Sequence, residues 1–377
     1  MKATWDIFCT VVDNYGDIGV TWRLARQLAA EHPFSVRLWV DDLQPFARLC
    51  PGADSQAEQQ WLERVSVCHW PKDWRPVAPA DVVIEAFACR LPPAYIEAMP
   101  RRARAPLWLN LEYLSAEEWV SGCHALTSPQ PNGMRKIFFF PGFRPTTGGL
   151  LREADLITQR QAFQQDKAAQ RLFLRELGVS PAEDARLISL FAYENAGLAS
   201  WLETMVADSR KTHLLVPEGR VLGDLQRWLD VDSLQAGAIQ ERGALTIQVL
   251  PFVRQEQYDR LLWCCDFNAV RGEDSFVRAQ WAGRPLLWHI YEQDDDAHWV
   301  KLEAFLELYL QSLSPAAGQA MRDVWRAWNA GSDMGKCWME LQKHWGEVNQ
   351  HAERWCLEQA SQPDLAAALA LFYLNWL

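Results

Sequence analysis

Short apolar runs rich in β-branched residues alternate with helical patterns along the first part of the chain. Such runs are typical of strands that are buried on both faces of a parallel sheet. A helix is predicted over 20–31, where Trp22 and Leu28 share one apolar stripe. The strand–helix–strand order implies a right-handed βαβ unit. Strands are predicted over 6–12, 35–40, 82–87, 107–111 and 137–140.

The alternation resumes after a segment rich in proline and glycine, residues 141–149, which we predict to be a domain boundary and a hinge. A polar helix is predicted over 154–177, and the chain is predicted to be helical from Asp294 onward. Between them the pattern predicts strands over 187–192, 213–216, 245–250, 267–270 and 285–290, and helices over 196–207, 224–230, 255–264 and 275–282.

This order of elements predicts an α/β protein with two Rossmann-like domains that face each other across a cleft. The 377 residues suffice for two domains at about 150 residues each. We expect an N-terminal domain over 1–150 and a C-terminal domain over 151–360. A final helix over 361–377 is expected to pack back on the N-terminal domain.

Charge and cysteine content narrow the class of protein. The chain has 37 basic and 48 acidic residues, a net charge of −11, which disfavours a nucleic-acid partner. No run of apolar residues has the length of a membrane span, and no signal peptide is evident. The nine cysteines include no Cys-x-x-Cys pair and are expected to be reduced thiols, so a cytoplasmic location is predicted.

Several common catalytic motifs are missing from the sequence. The glycine motif of dinucleotide-binding enzymes, the P-loop, the zinc motif H-E-x-x-H and the serine motif G-x-S-x-G are all absent. The eight histidines are scattered, with no pair spaced like metal ligands. We therefore expect neither a bound metal nor a cofactor.

The first candidate for chemistry is the loop after the first predicted strand, D-N-Y-G-D-I-G over residues 13–19. Open α/β sheets bind ligands at this place. Asp13 and Asp17 are four residues apart, and Gly16 allows a turn that brings both carboxylates into one site. Alternatively, Asp17 caps the helix and Asp13 ends the strand.

A second cluster, R-G-E-D-S over residues 271–275, also follows a strand and opens a helix. The free N–H groups of a helix start, together with Arg271 and the hydroxyl of Ser275, suit a diphosphate. The alternative is a plain helix start in which Asp274 is the cap and Arg271 forms a surface ion pair.

Aromatic residues follow two further strands. Phe191 and Tyr193 come after one strand, and P-F-V-R-Q over 251–255 comes after another. An aromatic ring can stack on a planar base, and Gln255 can read the edge of that base. Such loop aromatics also occur as simple packing residues.

Together these motifs resemble one family, the EarP protein-arginine rhamnosyltransferases that modify bacterial translation elongation factor P (EF-P). The resemblance covers nearly the whole chain, from W-D-I-F-C-T-V-V-D-N-Y-G-D-I-G through P-F-V-R-Q to R-G-E-D-S-F-V-R-A-Q-W-A-G-R-P. It implies a metal-independent, inverting glycosyltransferase of the GT-B fold, with the acceptor side in the domain over 1–150 and the nucleotide-sugar side in the domain over 151–360. The implied reaction moves L-rhamnose from dTDP-β-L-rhamnose to a guanidino nitrogen of one arginine in EF-P.

The resemblance also implies roles for individual residues. Asp17 is the expected proton acceptor, and Asp13 and Glu273 are also expected to be needed for catalysis. The residues expected to bind the donor are Asn14, Tyr15, Gly16, Phe191, Tyr193, Phe252, Val253, Arg254, Gln255, Arg271, Gly272, Asp274 and Ser275.

The basicity of arginine constrains the mechanism. A guanidinium has a pKa above about 12, so a carboxylate cannot simply deprotonate it at neutral pH. We expect Asp13 and Asp17 to orient the guanidinium and to accept its proton as the C–N bond forms. Two alternatives are a GT-B transferase with another nucleotide sugar or a small-molecule acceptor, and a non-catalytic protein that binds a nucleotide sugar or a translation factor.

Overall fold

The computed structural model describes residues 2–12, 15–292 and 296–377. The chain divides into two compact units. The first unit contains residues 1–154 and 359–377, and the second contains residues 155–358. The chain therefore passes from the first unit into the second and then returns to the first.

The first segment of the first unit alternates strands and helices, with short helices after the first. Its elements are β1 (Ala3–Cys9), α1 (Gly16–Glu31), β2 (Phe34–Val40), α2 (Leu43–Leu49), β3 (Gln59–Leu62), β4 (Val65–His69), β5 (Val82–Ala86), α3 (Pro93–Ala98), β6 (Leu107–Leu111), α4 (Trp119–Cys123), β7 (Thr127–Pro129) and β8 (Arg135–Phe139).

The second unit continues the alternation and then becomes helical. Its elements are α5 (Leu156–Gln165), α6 (Lys167–Glu176), β9 (Arg186–Leu190), α7 (Leu198–Val206), β10 (Thr212–Pro217), α8 (Leu222–Leu229), β11 (Ile239–Arg242), β12 (Leu245–Leu250), α9 (Gln255–Cys264), β13 (Phe267–Arg271), α10 (Glu273–Trp281), β14 (Leu286–His289), α11 (Ala297–Tyr309), α12 (Pro315–Asn329), α13 (Met334–Lys343) and α14 (Trp345–Ala360). The last helix, α15 (Leu365–Trp376), belongs to the first unit.

The first unit is built on a sheet of strand order β3-β4-β2-β1-β5-β6-β8-β7. Its six central strands are parallel, and the two edge strands run antiparallel to their neighbours. The carboxyl ends of β1, β5 and β6 therefore lie side by side at one edge. Ligand sites of open α/β sheets are found at such edges.

Helices α1 and α15 cover one face of this sheet. The rings of Trp5 and Tyr373 meet edge to face at 5.7 Å, and both lie in the same buried apolar cluster. A hydrogen bond of 3.0 Å from Gln27 Nε2 to Asp364 Oδ1 ties the start of α15 to α1. The last helix is thus part of the core that fixes α1.

The second unit has a sheet of order β11-β12-β10-β9-β13-β14, parallel except for the edge strand β11. Helices α9 and α10 are joined by a buried ion pair between Asp259 and Arg278, with two hydrogen bonds of 2.9 and 2.7 Å. Both helices begin directly after strands of this sheet. The pair fixes the two strand–helix turns relative to each other.

The hydrophobic pattern located most strands but missed the edges of the sheets. The predicted strand over 245–250 coincides with β12, and the other central strands match within a few residues. The edge strands β3, β7 and β11, and β4 next to β3, were not predicted. These elements are short, and the edge strands are mostly exposed, so they lack a sustained apolar run.

Three predicted boundaries were wrong for identifiable reasons. The first strand spans Ala3–Cys9 instead of 6–12, and Val12 lies outside the sheet with 78% of its surface exposed. Helix α1 begins four residues before the predicted start. The single helix predicted over 154–177 is two helices, because Asp166 caps the second one through hydrogen bonds of 2.9 Å from the N–H groups of Ala168 and Ala169.

Residues 141–149 form a folded loop inside the first unit. Gly148 N–H donates to the carbonyl of Phe140 at 2.8 Å, and Gly142 N–H donates to that of Gly149 at 3.2 Å. Gly149 has φ +71°, and a Cβ there would clash with the Pro363 carbonyl oxygen.

Within the described ranges, no helix has both the length and the apolar character needed to cross a bilayer.

Candidate functional site

The first group of predicted site residues lies where β1 leads into α1. Asp17 sits in the first turn of α1, with 4% of its surface exposed. Its Oδ2 accepts a hydrogen bond of 3.0 Å from the backbone N–H of Val12. The N-cap of α1 is Tyr15, so Asp17 is not the N-cap residue. Its carboxylate instead holds the segment that leaves the strand.

The remaining residues of this loop are only partly described. Gly16 is the first residue of α1, and Tyr15 is half-buried beside it. The guanidinium carbon of Arg48 lies 5.8 Å from the centre of the Tyr15 ring. The predicted site residues Asp13 and Asn14 lie outside the described residues.

Two aromatic residues that the sequence analysis missed adjoin Asp17. Tyr113, two residues after β6, donates its hydroxyl to Asp17 Oδ1 at 3.3 Å. Its ring stacks on Phe87, the residue after β5, with ring centres 4.5 Å apart and planes 18° apart. The sequence signal was weak, because a lone aromatic after a buried strand also occurs in packing. Only the neighbouring positions of β1, β5 and β6 bring the three residues together.

The thiol nearest to this group is not a candidate nucleophile. Burial raises the pKa of Cys9 well above its usual value, and the negative charge of Asp17 adds to the rise. The reactive form of cysteine is the thiolate, so this side chain is inert at neutral pH. The chemistry available at this edge of the sheet is that of a carboxylate.

The second group centres on Arg271, the last residue of β13. Its guanidinium carbon lies 4.7 Å from the ring centre of Phe191 and 4.6 Å from that of Tyr193, within cation–π range. The residue is 8% exposed, so the alternative of a surface ion pair was wrong. Its Nε is buried and has no hydrogen-bond partner among the residues that the structure describes. The Nε–H of Arg271 can therefore donate a hydrogen bond to a bound anion.

The turn after Arg271 places acidic residues at the start of a helix. Gly272 is the N-cap of α10, with φ +66° and ψ 175°, a conformation that favours glycine. Glu273 and Asp274 occupy the first turn, so Asp274 is not the cap and the helix starts two residues earlier than predicted. Ser275 follows in the same turn and is half-buried.

The segment over 252–255 contacts this turn. Gln255, buried at the start of α9, donates from Nε2 to Asp274 Oδ2 at 3.3 Å. Phe252 is half-buried, Val253 is buried, and Arg254 is the exposed N-cap of α9. In the second unit, the described residues that we predicted to bind the donor therefore lie at or after the carboxyl ends of three strands, β9, β12 and β13.

A pocket of about 830 Å³ in the second unit extends this group. Such a volume is in the range, about 300–1,000 Å³, of small-molecule sites. Tyr193, Arg220, His289 and Tyr291 line it. Burial, together with the positive charges of Arg271 and Arg220, lowers the pKa of His289 to about 4, so the imidazole is neutral at pH 7.

Sequence reasoning missed Arg220, His289 and Tyr291. The only available signal was that His289 ends a strand, at the edge where ligands bind. Over residues 2–12, 15–292 and 296–377, no cluster of three or more His, Cys, Asp or Glu side chains is arranged to hold a metal ion.

The chain is similar to known proteins over nearly its whole length. The sequence model of the family "Elongation-Factor P (EF-P) rhamnosyltransferase EarP" matches residues 5–374. The chain belongs to the EarP family. It is 64% identical to the protein-arginine rhamnosyltransferase of Pseudomonas putida over 375 residues, which is 100% of both chains.

Solved structures agree with this EarP assignment. A structure that describes EarP-mediated arginine glycosylation of translation elongation factor EF-P is 48% identical, covers 100% of both chains and superposes with a TM-score of 0.74. MurG of Acinetobacter baumannii shares only the fold, with 12% identity, full coverage of both chains and a TM-score of 0.52. The predicted α/β class and the GT-B fold are confirmed.

Proposed function

We propose that this chain transfers L-rhamnose from dTDP-β-L-rhamnose to a guanidino nitrogen of one arginine in EF-P. The transfer inverts the anomeric centre and uses no metal ion or other cofactor. The observation that carries the proposal is the buried carboxylate of Asp17, held by Val12 and Tyr113 at the ligand-binding edge of the first sheet. Family membership supplies the choice of sugar and acceptor.

The acceptor chemistry follows from the properties of Asp17. A carboxylate accepts hydrogen bonds through both of its oxygens, with about two acceptor positions on each. A guanidinium matches a carboxylate in planar geometry. Asp17 orients the acceptor arginine and takes its proton as the nitrogen attacks. The C–N bond to the anomeric carbon forms while the bond from that carbon to the diphosphate oxygen breaks, and dTDP leaves.

Attack from the face opposite the diphosphate accounts for inversion. A single displacement converts a β-linked donor into an α-linked product. Asp13 is proposed to share the acceptor-binding role, as the sequence analysis expects. No covalent sugar–enzyme intermediate is needed, in agreement with the absence of a reactive thiol at Asp17.

The donor side is supported by the surroundings of Arg271. Its buried Nε is a free donor for the leaving diphosphate, and the two rings beside it fix the guanidinium plane. The first N–H groups of α10 and the hydroxyl of Ser275 add donors for negative charge. Phe252 is the proposed stacking partner of the thymine. These groups supply the charge stabilisation for which other enzymes use a metal ion.

Three roles are compatible with the position of Glu273 at the start of α10. It contacts sugar hydroxyls, stabilises positive charge at the anomeric carbon, or holds the loop.

We propose a cytoplasmic reaction, since all nine cysteines are free thiols, as is usual in reducing compartments.

The decisive experiment mixes the purified protein with dTDP-β-L-rhamnose, EDTA and folded EF-P and measures the intact mass of the acceptor. The expected result is the mass of one added deoxyhexosyl group, mapped to a single arginine by fragmentation. NMR of the product distinguishes the α-linkage from the β-linkage.

Other outcomes assign the alternatives. Transfer from a UDP-sugar but not from dTDP-β-L-rhamnose would overturn the proposed donor. Clear binding of dTDP by calorimetry without any transfer would favour a binding protein or another acceptor. Loss of transfer in EDTA that zinc or magnesium restores would overturn metal independence.

A further inference from the structure

We infer that Tyr113 is a positioning residue for Asp17, and that Phe87 holds Tyr113 in place for this task. The inference rests on the function proposed above, because it concerns the carboxylate that accepts the proton. It assigns two residues that lie far from the loop over 13–19 in sequence and adjoin it only in the fold.

The first observation is the hydrogen-bond arrangement of the carboxylate. Val12 N–H donates to Oδ2 at 3.0 Å and the Tyr113 hydroxyl donates to Oδ1 at 3.3 Å. One donor on each oxygen fixes the plane of the carboxylate. The backbone donor belongs to the segment that leaves β1, and the tyrosine is a side-chain donor to the same carboxylate. A fixed carboxylate plane is what recognition of a planar guanidinium requires.

The second observation is the support of the tyrosine ring. Tyr113 is 42% exposed, so burial alone does not hold it. Its ring is stacked on Phe87 at 4.5 Å. Stacked aromatic pairs stabilise each other beyond the effect of their buried area. The stack thus restricts the direction in which the hydroxyl points.

The third observation is the backbone of the supporting residue. Phe87 has φ +56° and Ala88 has φ +55°, in the left-handed region that non-glycine residues rarely adopt. The N–H of Phe87 donates to the carbonyl of Leu111, at the end of β6, at 2.7 Å. This bond places the strained turn beside the segment that carries Tyr113. Backbone strain of this kind clusters at functional sites.

The test compares Tyr113→Phe with the wild-type protein. The variant keeps the ring and its stack on Phe87 and removes only the hydroxyl. We expect kcat to fall by about tenfold with the KM for dTDP-β-L-rhamnose unchanged, because the general base is misoriented and the donor is not touched.

Phe87→Leu is the second variant. It leaves the hydroxyl in place but removes the ring that supports it, so we expect a smaller loss of kcat in the same direction. Tyr373→Phe is the matched control. Its ring packs on Trp5 and Phe34 in the core of the same unit, and its kcat should equal that of the wild type.

The outcomes separate this inference from the proposed function. Absence of transfer by the wild-type protein defeats the proposed function itself. Wild-type transfer together with an unchanged kcat in Tyr113→Phe overturns only the role of Tyr113. An increase in the KM for EF-P at constant kcat would also overturn it, since Tyr113 would then bind the acceptor without orienting the base. A kcat of Phe87→Leu equal to the wild type overturns the role of Phe87.

Discussion

The carboxylate of Asp17 accepts a hydrogen bond from the backbone N–H of Val12 at 3.0 Å. A very similar contact lies one strand away, where Asp41 Oδ1 accepts from the N–H of Val11 at 2.9 Å. The two aspartates therefore bind adjacent residues of the same segment. We assign a catalytic role to Asp17 but not to Asp41. Substitution of each aspartate therefore distinguishes an effect on catalysis from an effect on the fold.

We expect Asp17→Asn to lose transfer activity while it still binds the donor. The amide oxygen can keep the contact with Val12, but the side chain can no longer accept a proton. Removal of a general base typically lowers kcat by about 10²–10⁴-fold. Asp41→Asn is the matched control and should retain nearly wild-type kcat. Steady-state kinetics with folded EF-P checks both variants, and equal activity of Asp17→Asn and wild type would refute the assigned role.

Arg271→Lys should weaken donor binding. Lysine keeps the charge but lacks the planar group that lies over Phe191 and Tyr193 and carries the buried Nε. We expect the Kd for dTDP, measured by calorimetry, to rise by about 10- to 100-fold. Arg242→Lys is the control, because Arg242 also lies over a ring, Trp228, at 4.7 Å, but is not in the donor group. Equal affinities of both variants would contradict the assignment.

Gly272→Ala should weaken donor binding, because it strains the backbone of the turn after Arg271. The φ of +66° is strained for alanine, although a Cβ there would meet nothing within 4 Å. Residues in such conformations cost about 1–3 kcal/mol. Gly237→Ala, at φ +89° and also with open space, is the matched control. Both variants should show lower urea midpoints, but only Gly272→Ala should also bind dTDP more weakly.

Stability should fall as the pH drops below neutrality, in part because of His351. Burial, together with the positive charge of the nearby Arg354, lowers the pKa of this histidine to about 4. In the unfolded chain it takes a proton near pH 6.5, so acid favours unfolding between about pH 6.5 and about pH 4, and the effect ends below that.

The measurement is the pH dependence of the urea midpoint in wild type and His351→Gln. A glutamine cannot take up the proton, and it can still reach Ser312, whose hydroxyl lies 3.0 Å from Nδ1. One proton corresponds to about 1.4 kcal/mol per pH unit, so the variant should lose stability less steeply on acidification. Identical slopes would show that His351 does not contribute.

A folded EF-P domain should be a far better substrate than a peptide that contains the same arginine. Binding energy from parts of the substrate remote from the reaction is used to orient the reacting groups, so a peptide loses kcat as well as affinity. We expect kcat/KM to fall by about a hundredfold or more for the peptide. Free arginine should react still more slowly, and equal turnover of peptide and folded domain would contradict recognition of a protein surface.

The sequence was informative about the interior of the sheets because a strand buried on both faces is apolar at most positions. For this reason the run over 245–250 matched β12 residue for residue. It also predicts where ligands bind, since both acidic motifs come directly after such runs. The start of α1 was harder to predict, because the polar residues before Val20 are compatible with either a loop or a first helical turn.

What only the tertiary structure decided is which side chains meet. Tyr113 is 96 residues from Asp17 along the chain, and no local pattern connects them. They are adjacent because β1, β5 and β6 are neighbours in the sheet, and this order depends on packing of the whole unit. The same holds for Arg271, which lies between Phe191 and Tyr193 because β13 pairs with β9. Sequence periodicity reports which face of an element is buried, whereas contacts between distant residues arise only when the strands are assembled.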